Sequence, residues 1–245
     1  MSDFWHLHGL DWLGELSKAE TQRILGASSS RDHARGETVF EPALHPHSVY
    51  LLERGLVRIY RLSALGDEAT LGYVRPGEVF GELSAFSDQP RESFATAVRA
   101  SRVWRIPRAE LRRVLDRHPR MALSVTVQIA NRFKRIESRV ENLIFRNLRS
   151  RIAHVLQELA EDFGQDEAGG RLIDLPLSQQ DIATLVGATR QSVNGCLREL
   201  RDSALVSYRG RRFTLPDLAA LRRAADVEAA PGPRAQTFVG GVPSA

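Results

Sequence analysis

Residues 185–200 read LVGATRQSVNGCLREL. Val193, Cys196, Leu197 and Leu200 recur at helical spacing and predict a helix with one core-facing stripe. The other side then carries Arg190, Gln191, Asn194, Gly195, Arg198 and Arg201, with Ser192 in the first turn. An α-helix fits the major groove of B-DNA, and its N-terminal residues meet base edges. Arginine donates two hydrogen bonds to guanine, and glutamine pairs with adenine. Arg198, Arg201 and the run Arg209-Gly210-Arg211-Arg212 suit phosphates, which position a protein without reporting sequence. Gly195 is the odd member, because glycine inside a helix costs about 1 kcal/mol relative to alanine.

The charge distribution agrees with an anion-binding surface. The net charge of the 245-residue chain is only +4. From Val186 to Arg223, however, the bases are Arg190, Arg198, Arg201, Arg209, Arg211, Arg212, Arg222 and Arg223. The acids there are Glu199, Asp202 and Asp217. A merely solvated face mixes both signs more evenly.

The elements that must hold these side chains are legible around them. Ser178, followed by Gln179, caps a helix containing Ile182, Ala183 and Val186; Gly187 ends it and Thr189 caps the next, and Ser178, Gln179 and Thr189 join the candidate DNA contacts. Two helices joined by so short a turn make a helix-turn-helix. LVSYRGRRFTL follows as a hairpin around Arg209-Gly210-Arg211, and RIAHVLQELAEDFG precedes as an amphipathic helix, with a Gly-rich loop after it. Further upstream, MALSVTVQIANRFKRIESRVENLIF lacks Gly and Pro. Ala122, Ile129, Phe133, Ile136, Val140 and Leu143 fit a four-three heptad with Thr126 in one slot, the pattern of two helices packed along their length. That seam predicts a homodimer. Between Glu37 and Ile106, short β-rich runs alternate with turn residues, as in a β-roll or barrel-like sandwich of seven or eight strands. Ser17, Glu20, Ile24 and Leu25 mark an N-terminal helix that Gly26 can end. The expected organisation is a sensor-like domain over 1–119, a dimerisation helix over 120–145, a DNA-binding domain over 146–225 and a flexible tail over 226–245. The fold class is α+β.

Other chemistries are poorly served. Cys196 is the single cysteine, so no internal disulfide and no cysteine-ligated cluster forms within the chain. A thiol switch would rest on Cys196, which falls on the core face. His6-x-His8 and His45-x-His47 place imidazoles close together but lack a third ligand, so no metal is expected. No phosphate loop ending in GK[ST] and no nucleophile–histidine motif is present, so no catalytic residue and no enzyme is expected. No signal peptide or membrane span is read, and the expected location is the cytoplasm.

With these residues in view, the chain resembles bacterial regulators of the cyclic-AMP receptor protein and fumarate-nitrate regulator superfamily. The resemblance rests on YLLERGLVRIY, RPGEVFGELSAF, Pro90-Arg91, the long helix, RIAHVL and LSQQDIATLVGATRQSVNGCLREL. It implies a cyclic-nucleotide-binding-like β-roll, a dimer helix, a winged helix-turn-helix, a palindromic operator in double-stranded DNA, and RNA polymerase as a partner. Within the recognition helix it places base readers at Arg190, Gln191 and Gly195. The family's glutamate is lost at Gln191, and its second arginine at Gly195. Gly195 either admits close approach of backbone to DNA, leaves a base unread, or packs closely against a neighbouring helix. The resemblance also places a nucleotide's contacts at Gly81, Glu82, Leu83, Ser84 and Arg91, with Glu92 replacing the usual hydroxyl beside the phosphate. On the long helix, Ile136 and Glu137 replace the pair that meets adenine. A degenerate or altered effector pocket follows, with a cyclic nucleotide or a cyclic dinucleotide as the alternative, and with Glu82 and Arg91 as a structural ion pair if no effector binds.

Overall fold

The computed structural model describes residues 6–7, 10–11, 16–42, 47–87 and 89–226. His8, His45 and the tail beyond residue 226 lie outside them. The chain divides into two units, Met1–Glu137 and Ser138–Ala245.

In the first unit, β1 (His6–Leu7) pairs with β2 (Leu10–Asp11), and α1 (Lys18–Ala27) follows. Ser17 Oγ accepts from Glu20 N at 3.3 Å, and the Glu20 carboxylate accepts from Ser17 N at 3.0 Å, closing the expected capping box. Gly26 does not end the helix. It lies inside, because the Ser28 N–H still reaches Leu25 O at 3.3 Å. The strands are β3 (Ser29–His33), β4 (Thr38–Phe40), β5 (Ser48–Arg54), β6 (Val57–Leu62), β7 (Glu68–Val74), β8 (Val79–Phe80), β9 (Phe94–Ala97) and β10 (Ser101–Pro107). They form two antiparallel sheets, ordered β3-β10-β5-β8 and β4-β9-β6-β7. Helices α2 (Glu82–Ser87), α3 (Arg108–Arg117) and α4 (Pro119–Phe145) complete the elements.

β5 explains why its sequence reads as one apolar run rather than an alternation. Tyr50 and Leu52 join Phe40, Val57, Val74, Phe80, Ala95 and Val103 in one core cluster. Val49 and Leu51 point the other way, into a second cluster with Ile24, Ile106, Leu111, Met121 and Val125. Both faces are covered, so both sets are apolar.

The long helix carries a buried and an exposed side. Phe133, Ile136, Val140 and Leu143 of the expected seam stay exposed in the single chain, Phe133 by 61% and Val140 by 50%. Ile129 departs from the expectation: it packs against its own domain's core. Leu123 and Val127, which the heptad skipped, are exposed instead. The straight helix rotates slightly with each heptad, and the first turns are committed to the domain core through Met121 and Val125.

The second unit contains α5 (Leu148–Phe163), β11 (Gly164–Glu167), β12 (Gly170–Ile173), α6 (Gln179–Val186), α7 (Arg190–Asp202), β13 (Ser207–Arg209), β14 (Arg212–Leu215) and α8 (Leu218–Ala225). The sheet runs β11-β12-β14-β13. The stretch read as a Gly-rich loop is therefore a hairpin. Its polar first strand shows no alternation, and its pairing is supplied by β12, which pairs in turn with β14.

Candidate nucleic-acid interface and anion pocket

Each end of the helix pair is satisfied by a local side chain. Ser178 Oγ accepts from Asp181 N at 3.1 Å, and the Asp181 carboxylate returns to Ser178 N at 2.7 Å. Gly187 ends α6 in the left-handed region, at φ 62° and ψ 51°, where a Cβ is penalised. Thr189 Oγ1 then accepts from Ser192 N at 3.2 Å and opens α7. The hydroxyls of Ser178 and Thr189 thus serve as caps.

α7 sorts its residues as its spacing requires. Val193, Leu197 and Leu200 are fully buried, while Arg190, Gln191, Ser192, Gly195 and Arg198 are exposed. Asn194 is half-buried and accepts from Gln179 Nε2 through Oδ1 at 3.2 Å, so these two candidates form one unit across the helix pair. A Cβ built on Gly195 meets nothing within 4 Å. Close packing against a neighbouring helix is therefore not the reason for this glycine. Cys196 is half-buried rather than fully in the core. Burial first, then Glu199, pushes its thiol above the ordinary range, so the reactive thiolate is scarce. The hairpin turns at Gly210-Arg211, with Arg209 opposite Arg212. Arg209 and Arg211 are exposed, and Arg211 O accepts from Leu177 N at 3.1 Å, tying the turn to the residue before the first cap.

In the first unit, the phosphate-type residues gather at the end of β8. Gly81 has φ 71°, and a Cβ there would collide with Arg91 Nη1, so glycine is required for the arginine to close in. Arg91 is 3% exposed. Its Nη2 donates to Ser48 O at 3.0 Å and Gly81 O at 3.3 Å, and its guanidinium lies 4.1 Å from the centre of the Phe40 ring. Nε and Nη1 are buried without a hydrogen-bond partner among the described residues. Burial lowers the guanidinium pKa from its ordinary value, with Tyr50 and then Glu82 opposing that shift.

Glu82 does not form the expected ion pair with Arg91. Its carboxylate is held by Arg132 of α4 at 3.3 Å. Glu92 is not a negative charge facing the anion site either: it is exposed and paired with Arg61. Arginine side chains from the neighbouring β6 and from α4 reach these carboxylates first. Leu83 is exposed and Ser84 is buried, its hydroxyl donating to Gly81 O at 3.3 Å. Ile136 and Glu137 are exposed on α4.

Sequence reasoning missed Gln128 and Arg132. Gln128 is 3% exposed; its Nε2 donates to Val79 O at 2.7 Å, and its Oε1 accepts from Val79 N at 3.3 Å. It completes the edge of β8 as another strand would. The signal was the polar spacing Ser124, Gln128, Arg132, which a search for apolar seams discards.

Known proteins share this arrangement. Residues 30–118 match the family model of the cyclic nucleotide-binding domain, and residues 150–224 match that of the Crp-like helix-turn-helix domain. The chain is 32% identical over 194 residues to the CRP-like cAMP-activated global transcriptional regulator of Mycobacterium tuberculosis, covering 79% of this chain and 87% of that protein. It is 33% identical over 183 residues to the global nitrogen regulator of Synechococcus elongatus, covering 74% and 82%. A solved CRP-family transcriptional regulator from Thermus thermophilus matches with a TM-score of 0.68 at 31% identity, over 80% of this chain and 97% of that one. With the two family models falling on the β-roll and on the winged helix-turn-helix, and relatives of this identity spanning most of the chain, the protein belongs to the CRP/FNR superfamily of transcription regulators.

Proposed function

We propose that this regulator binds a palindromic operator as a homodimer. Arg190 and Gln191 of α7 lie at base edges, the Gln179–Asn194 pair lies beside them, and Arg198, Arg209 and Arg211 lie at phosphates. The observation that carries this reading is the split of α7: a fully buried Val193-Leu197-Leu200 stripe backs an exposed face bearing Arg190, Gln191, Gly195 and Arg198. The exposed seam of Phe133, Ile136, Val140 and Leu143 supports a second copy as the partner. The protein acts in the cytoplasm with RNA polymerase and performs no catalysis of its own.

For the N-terminal unit, the unpartnered Nε and Nη1 of Arg91 fit an anionic group such as a phosphate. With Glu92 drawn to Arg61, the carboxylate does not oppose that anion. Ile136 and Glu137 carry no hydroxyl for an adenine edge, so the effector is an anionic ligand other than cyclic AMP, with cyclic dinucleotides the first class to test. A second reading, an effector-independent regulator, is favoured by Arg91 donating to backbone carbonyls and by Glu82 being taken by Arg132. A gel-shift series with genomic DNA fragments, with and without cyclic nucleotides, tests both levels. Cyclic AMP is expected to change operator affinity by less than about threefold, below the usual range of allosteric coupling. Micromolar cyclic AMP binding by calorimetry would overturn the effector reading, and failure to shift any fragment would overturn the DNA reading.

A further inference from the structure

A small, partly open space lies where the last turns of α4 meet α5 and α6. Its volume is about 10 Å³, about enough for the centre of one water-sized body. Its polar lining is Arg139, Asn142 and Arg151; Leu143, Val155, Leu185 and Val186 supply the apolar walls. Asn142 is 5% exposed, and among the described residues its Nδ2 has no hydrogen-bond partner; neither does the buried Nε of Arg151. The unmet demand is thus made of donors, from two helices, beside apolar walls. A water would accept from them but must also donate its own hydrogens, and the four apolar side chains offer no acceptor, which leaves Asn142 Oδ1 as the acceptor among the lining side chains. Two guanidinium groups of like charge border the space, and only Arg139 is near a carboxylate, Glu158 at 3.9 Å. Two unmet buried donors with excess positive charge favour an anion.

We propose that this space binds a monovalent anion of halide size, accepting from Asn142 Nδ2 and Arg151 Nε and joining the end of α4 to the helix-turn-helix. Leu143 is 51% exposed and Arg151 is half-buried, so the walls can yield to an ion slightly larger than water. Its lining includes none of the exposed residues of α7 and not Arg91.

Crystals of the full-length protein grown in sodium bromide test the proposal. An anomalous peak at the bromine edge between Asn142 and Arg151 is expected. In solution, replacing glutamate by chloride at constant ionic strength should raise the unfolding midpoint saturably, by about 3 °C. Asn142→Asp places a carboxylate beside Arg151, so it should lose both the peak and the chloride response. Solvent density without anomalous signal would identify an ordinary water and overturn the proposal. A peak with no saturable chloride response would mean binding at crystal concentration only, and would also overturn it. Retention of either signal in Asn142→Asp would place the ion elsewhere. If that variant does not fold, the two wild-type measurements decide the matter.

Discussion

Gly195 sits exposed in the middle of α7, with open space where a side chain would project. Among the described residues nothing requires a glycine there, so its replacement separates folding from binding. Gly195→Ala is expected to stabilise the protein by about 1 kcal/mol, or about 2–4 °C in the unfolding midpoint. Measured on the same preparation by fluorescence anisotropy, it should weaken operator binding several-fold, because a methyl group would stand where DNA meets the helix backbone. Unchanged affinity would mean that the base opposite is simply unread. Its neighbours are tested by selection from a random DNA library. Arg190→Ala should cost about 1–3 kcal/mol on the specific site and relax one base pair per half-site. Gln191→Glu should move the selected motif toward cytosine, whose N4 a carboxylate accepts from more strongly than an amide does. A motif unaltered by both changes would remove α7 as the reading element.

Among the elements, α4 does two jobs with two faces. Gln128 completes the edge of β8 from its buried face. Gln128→Ala leaves the Val79 N–H without its partner, while the Val79 C=O keeps Arg132 Nη2 at 2.7 Å, and should cost about 1–3 kcal/mol in chemical denaturation. On the exposed face, Ile136→Asp combined with Val140→Asp puts charges into the proposed seam, at a cost on the order of several kcal/mol to dimer stability. Sedimentation at micromolar concentration should then show a monomer, and a persisting dimer would place the interface elsewhere. α1 gives a pH prediction. Hydrogen bonds from Ser17, then from His118, hold the Glu20 carboxyl at about 2, below its usual 4.5. A depressed pKa contributes stability above the ordinary value, and that stability is lost as pH falls from about 4.5 toward 2. Glu20→Gln should therefore flatten the acid limb of the stability curve between those values while leaving the neutral-pH fold intact by circular dichroism.

At the scale of the molecule, the proposed dimer requires two copies of α7 related by a two-fold axis to enter successive major grooves about 34 Å apart. Protection footprints should be symmetric over two half-sites with that spacing, and protection confined to one half-site would contradict the dimer. The exposed Arg211 at the hairpin tip is proposed to add a sequence-independent phosphate contact. Arg211→Ala should weaken all DNA sequences alike and reduce the salt slope by about one. Arg190→Ala should instead act mainly on the specific site.

What the chain alone determined was whatever local chemistry decides. Ser178, Gly187 and Thr189 set the ends of two helices through neighbours a few residues away, so the helix-turn-helix and its exposed Arg190-Gln191 pair could be read directly. The capping box of α1, the hairpin at Gly210-Arg211 and the exposed Phe133-Ile136-Val140-Leu143 stripe followed from the same short-range rules. Partners far apart in the chain were decided only by tertiary structure. Glu82 and Arg91 lie nine positions apart, yet Glu82 is claimed by Arg132 from a helix whose apolar spacing predicts a dimer seam. Glu92 follows a phosphate-type arginine, yet turns to Arg61 on another strand. Gln128 looked like solvent-facing polarity until the edge of β8 needed its amide. The hairpin of β11 and β12 could not be read from a polar stretch whose pairing comes from elsewhere. Periodicity shows which side of an element is apolar. A buried charge or amide, by contrast, takes the nearest complementary group in space, and that group is set by the packing of elements that sequence order does not reveal.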